Sequence, residues 1–145
     1  MATFGQRRSR AREWKALAFL HGFVGVAAVT GGIGLAGGGS GLPEHFIEGT
    51  IFSSYVIPGI ALGTLVGSTS LLAAAAIWRR SEPALEASAL ASAMLVGWFA
   101  VQLATVGYIS WMQPFFIAWL IAQVSLALHL WLTSGGHGLM EREPL

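Results

Sequence analysis

The chain contains no cysteine. Disulfide bonds, thiolate metal sites and thiol redox chemistry are therefore excluded. Charge is also scarce. Only 10% of the 145 residues are Asp, Glu, Lys or Arg, against about 25% in soluble domains. The few charges are segregated. None lies between Lys15 and Glu44, between Glu48 and Arg79, or between Glu86 and Glu141. Proton relays and buried carboxylate acid–base centres need ionisable groups inside such stretches, so this pattern argues against both. No nucleophile–base pair is visible. The glycine-rich run from Gly31 to Gly39 lacks the lysine of a nucleotide-binding loop.

What fills the uncharged stretches is apolar, and 54% of the chain is hydrophobic. Runs of about 20 such residues match the roughly 30 Å hydrocarbon core of a bilayer. The pattern predicts four transmembrane helices, at about 15–37, 55–78, 86–108 and 113–132, with a turn at Tyr108–Pro114. The expected fold is an all-α, integral membrane four-helix bundle over 15–132. A basic arm (1–14) precedes it and a tail (133–145) follows. A basic start followed by an apolar run is also the order of a signal peptide. The run is too long for one and no small-x-small cleavage site follows, so the first helix is expected to be retained.

Four crossings put every Lys and Arg on one side: Arg7, Arg8, Arg10, Arg12 and Lys15 before the first helix, Arg79 and Arg80 after the second, Arg142 in the tail. The positive-inside rule then places both termini in the cytoplasm of a bacterial-type inner membrane. A basic arm beside a membrane helix reads as a topology signal and a contact for anionic headgroups, not as a nucleic-acid site. Trp14, Trp78, Trp111, Trp131 and Tyr108 fall at helix ends, as in an aromatic belt.

The longest outward loop, 37–54, contains Leu42–Gly49, which reads as a short interfacial helix. Pro43 suits its first position, Glu44 its positive end and Gly49 its stop. Glu44, His45 and Glu48 bring three donors within one turn. Such a set could hold a divalent metal, and it could equally be a solvated face.

The second predicted helix places Tyr55, Gly59, Gly63 and Gly67 four residues apart, on one face. Small residues let helix backbones approach closely in a membrane. Similar stripes are Gly25, Ala28, Gly32 and Ala36 on the first helix, Ala89, Ala93, Gly97, Ala100 and Ala104 on the third, and Ala118, Ala122 and Ser125 on the fourth. The expectation is that all four stripes face the bundle interior. Gln102 and Gln123 are expected to hydrogen-bond between the third and fourth helices.

Two histidines fall within the spans. His21 continues the Gly25 stripe and His129 continues the Ser125 stripe, at similar depth. Two imidazoles on slim faces could be axial ligands of a b-type haem or a chlorophyll-type ring. Each could instead hydrogen-bond across helices or to water.

The segment Phe52-x-x-Tyr55-x-Ile57-Pro58-Gly59, with Gln102 and Ser110–Pro114, resembles a pattern in small four-helix bacterial membrane proteins. The resemblance implies four crossings and brings no assigned activity or site residues. The function expected from the residues is non-catalytic: an accessory or structural subunit in the lipid bilayer, packing against other membrane-protein subunits or itself. Two alternatives are an electron-transfer protein holding haem between His21 and His129, and a small homo-oligomeric channel or transporter.

Overall fold

The computed structural model describes residues 4–108 and 110–134, and no strand occurs among them. Four long helices dominate: α1 (Phe4–Ala36), α2 (Val56–Arg79), α3 (Ala84–Thr105) and α4 (Met112–Ser134). The stretches Arg10–Ala36, Val56–Arg79, Ala84–Thr105 and Met112–Thr133 are each long and apolar enough to cross a membrane.

The helix ends differ from the expected ones for local reasons. The basic segment is not a separate arm, because α1 is already helical at Phe4. Its Gln, Arg and Ala residues favour helix and no proline interrupts them. At its other end α2 closes with Arg80 in the left-handed region, φ 52°. Ser81 N–H donates to Ala76 O and Arg80 N–H to Ile77 O, a Schellman-type stop with arginine where glycine is usual. Pro83 precedes α3 directly and Gly107, at φ 74°, stands just past its end. That shifts the helix to Ala84–Thr105 from the expected 86–108. The expected tail begins inside α4, and its residues 135–145 lie outside the described part.

The helix expected at Leu42–Gly49 is only one 3-10 turn, Glu44–Phe46. Gly41 and Gly49 flank it with φ near +80°, and so short a segment cannot nucleate an α-helix alone.

Within α2, Leu62–Ser68 widens into a π-helical segment. Hydroxyls there compete for the backbone: Thr64 Oγ1 donates to Ile60 O, Ser68 Oγ to Thr64 O and Thr69 Oγ1 to Leu65 O. Such back-bonding by Ser and Thr bends and loosens helices.

The helices run alternately up and down. α1 packs along the whole of α2, α2 against α3, α3 against α4, and α4 back against α1. The closest seam is α1–α2, where the glycines leave no room for a side chain. A Cβ on Gly59 would lie 2.5 Å from Ala36 N, and one on Gly32 would lie 2.6 Å from Gly59 O. A Cβ on Gly67 would meet Val29, and one on Gly25 would meet Leu71. Gly63 makes only ordinary contacts, 3.8 Å to Gly32 Cα.

The stripes on α3 and α4 do not face inward. Ala89, Ala93, Gly97, Ala100 and Ala104 are exposed, as are Ala118, Ala122 and Ser125. Nothing lies within 4 Å of a Cβ built on Gly97. The interior face of α3 is instead Ser88, Ala91, Ser92, Leu95 and Phe99. That of α4 is Gln113, Gln123 and Leu130, with Phe116 and Trp119 half-buried. The centre of a four-helix ring is wider than a two-helix seam, so larger and hydrogen-bonding side chains fill it. Aromatic contacts join α4 to α1, the closest being Phe23 on Trp119, with ring centroids 4.5 Å apart.

Candidate functional site: a buried polar layer

Two apolar clusters lie one above the other along the bundle. One, at the arginine end, contains Leu17, Ile77, Ala84 and Leu130. The other contains Val24, Val66, Leu95 and Phe99. His21, Ser70, Ser92 and Gln123 are buried near the middle of the helices that carry them, and Ser88 is buried one turn nearer the arginine end, in the second turn of α3. All four helices contribute.

The layer is held by bonds between helices. His21 Nε2 and Ser88 Oγ are 2.7 Å apart, spanning the bundle from α1 to α3. Gln123 Nε2 donates to Ser92 Oγ at 2.9 Å, joining α4 to α3. Trp119 Nε1 donates to Leu20 O at 3.1 Å, joining α4 to α1. Ser88 and Ser92 are four residues apart, so one face of α3 serves both partners. Three buried polar atoms have no partner among the described residues: His21 Nδ1, Ser70 Oγ and Gln123 Oε1. Leaving such an atom unmet costs about 1–3 kcal/mol, so each marks a place where a small polar ligand or water is favoured.

Chemically the layer is neutral. It offers hydroxyls, an amide and an imidazole, with no carboxylate, lysine or arginine among its five members. It can fix the rotation of each helix about its axis by hydrogen bonding.

The expected histidine pair does not form. His21 is inside, with Nε2 engaged by Ser88. His129 is on the outer surface, its side chain 57% exposed and its Nε2 3.8 Å from Glu13 Oε2. Two axial ligands on one haem ring need both imidazoles to face one slot, and these face apart. The geometry does not fit a haem held by His21 and His129.

Glu44, His45 and Glu48 are all exposed. Among the described residues no group of three His, Asp or Glu side chains is arranged to hold a metal ion. The physical reason is the brevity of the helical turn, which does not continue to Glu48. Gln102 and Gln123 do not bond to one another, since Gln123 turns to Ser92 instead. Tyr55 stands just before α2 and closes the loop rather than the seam. Its hydroxyl donates to Pro43 O at 2.6 Å, and its ring covers Gly39, where a Cβ would meet it at 2.7 Å. Desolvation, and then the Glu44 carboxylate, raises the Tyr55 phenol above its ordinary pKa of 10.0.

Ser70, Ser88 and Ser92 were not singled out by the sequence pattern, which also gave Gln113 and Trp119 no role in packing. The i, i+4 spacing of Ser88 and Ser92 in an apolar span was a usable signal. Gln113 Nε2 donates to Gly107 O and its Oε1 accepts from Ser110 N–H, which shapes the turn between α3 and α4. Arg10 donates to Thr133 O at 3.0 Å, tying the basic start of α1 to the end of α4.

No protein-family model, curated protein or solved structure matches the chain. The likeness at Phe52–Gly59 therefore brings no function to these residues, and their roles follow from the geometry alone.

Proposed function

We propose that this chain is a non-catalytic integral membrane protein, an accessory subunit that packs against other membrane helices in a bacterial-type inner membrane. Both termini lie on the cytoplasmic side in this reading. Its support is the apolar exterior of the helices, where Phe19, Leu72 and Ile121 are more than 60% exposed. A bundle with such a surface is stable in lipid and not in water. The positive charge gathers at the end where α1 begins and α2 ends, as orientation by cytoplasmic arginines requires.

One observation carries the accessory role. The close-packing residues are divided between two uses. Gly25 and Gly32 of α1 and Gly59 and Gly67 of α2 are consumed within the chain, whereas the small-residue faces of α3 and α4 look outward. Outward small residues permit close approach of a further helix. The polar layer supports the same reading, since its hydrogen bonds join the helices to one another and none of its five members is a carboxylate, lysine or arginine.

The cysteine-free background makes the test clean. A benzophenone-maleimide would be attached to Ala100→Cys or Ala122→Cys in native membranes, with Phe19→Cys as the control. Photolysis should give a discrete protein adduct from Ala100 or Ala122 and none from Phe19. The adduct's mass separates a second copy of the chain from a different subunit. Lipid adducts alone at all three positions would sink the accessory role.

A further inference from the structure

Two apolar cavities meet at the end of the bundle away from the arginines. The larger, about 400 Å³, lies between α2 and α3. Ala61 and Leu65 form one wall, Met94 and Trp98 the other, and Leu42 and Phe46 of the connecting loop roof it. The smaller, about 290 Å³, lies on the other side of Trp98, toward α1 and α4. Leu42, Val66, Trp98 and Gln102 border both.

Three features of the larger cavity point to one kind of occupant. Its volume falls in the range of about 300–1,000 Å³ typical of ligand sites, and its lining is almost wholly carbon. Apolar space of this kind stays dry, and if unfilled it forfeits the dispersion contacts of its walls. It also opens sideways. Leu65 and Val101 line it and are half exposed on the outer surface of the helices, so what enters comes from beside the bundle. In the bilayer that is lipid. Finally, the cavity has one misplaced polar group. The Gln102 side chain borders it with no hydrogen-bond partner among the described residues. Gln102 stands in the last turn of α3, near the interface where lipid ester carbonyls lie.

We infer that the cavity between α2 and α3 holds an acyl chain of an outer-leaflet glycerolipid, whose ester carbonyl accepts a hydrogen bond from Gln102 Nε2. The roof of Leu42 and Phe46 covers the chain, and Tyr55 holds that roof by its bond to Pro43. The inference rests on the membrane reading. It does not need a partner helix, since the cavity is formed by this chain alone.

The test uses the full chain in nanodiscs containing phosphatidylcholine with a diazirine near the end of one acyl chain. After photolysis, adducts are mapped by mass spectrometry. Trp98 and Ala61 should be labelled well above the exposed Phe19 and Ile121. Ala61→Phe, which fills the cavity, should bring the labelling of Trp98 down to the surface level. Gln102→Leu should lower it about fivefold, as loss of one hydrogen bond implies. Circular dichroism of both variants checks that the bundle is intact, and Gln102→Leu serves if Ala61→Phe does not fold. Uniform labelling of cavity and surface residues would overturn the inference while leaving the membrane reading standing. Unchanged labelling in Gln102→Leu would overturn the carbonyl contact. Failure of the unaltered chain to enter nanodiscs would overturn the membrane reading itself.

Discussion

Gly59 and Ala36 are in such close contact that a Cβ on Gly59 would lie 2.5 Å from the Ala36 backbone nitrogen. Since the obstacle is backbone, neither helix can yield by turning a side chain. Gly59→Ala and Gly32→Ala should each destabilise the bundle by about 1–3 kcal/mol, the usual range for overpacking. Gly63→Ala should be far milder, because its nearest neighbours stand at ordinary distance. Unfolding in a mixed-detergent titration would rank the three, and equal effects would mean that the seam is looser than described.

Ser88→Ala should leave the buried His21 with both ring nitrogens unpaired. Hydrogen bonds between membrane helices average about 0.6 kcal/mol and reach about 1.7, so a loss in that range or somewhat above is expected. The double variant His21→Leu with Ser88→Ala should be less damaging than the sum of its parts, because both partners are then absent. Strict additivity in the same titration would deny the His21–Ser88 bond.

The separation of His21 from His129 predicts that His129→Ala leaves the visible absorption spectrum of the protein purified from its native membrane unchanged. A Soret band abolished by that substitution would refute the placement of His129 on the outer surface.

Tyr55→Phe removes the bond to Pro43 and should raise proteolytic nicking within residues 40–54. It should also alter the alkaline response. The folded state raises the phenol pKa, so it favours the protonated form. Stability from this group is fully present below the ordinary value of 10.0 and is lost as pH rises through the folded-state pKa. Thermal melts of the unaltered protein should therefore fall more steeply above that value than those of Tyr55→Phe. Parallel curves would show that the phenol is not coupled to folding.

The sequence alone determined how many long apolar helices there are and roughly where they lie, because the spacing of Lys15, Glu44, Glu48, Arg79, Glu86 and Glu141 leaves only those uncharged stretches. It also located the Gly59–Gly67 stripe, whose four-residue spacing defines a face whatever that face meets. What it could not determine was which way each face looks. Periodicity gives the relative angle between residues on one helix and says nothing of that helix's rotation in the bundle. The Ala93–Gly97 stripe and the Gly59 stripe look alike in sequence, yet one is outside and the other inside. Only the tertiary structure decided this, because the rotation of α3 is tied to Ser88 meeting His21 and Ser92 meeting Gln123, contacts between residues 67 and 31 positions apart. The same rotation of α4 that buries Gln123 turns His129 outward, since six residues at about 100° each carry a side chain well away from the starting direction.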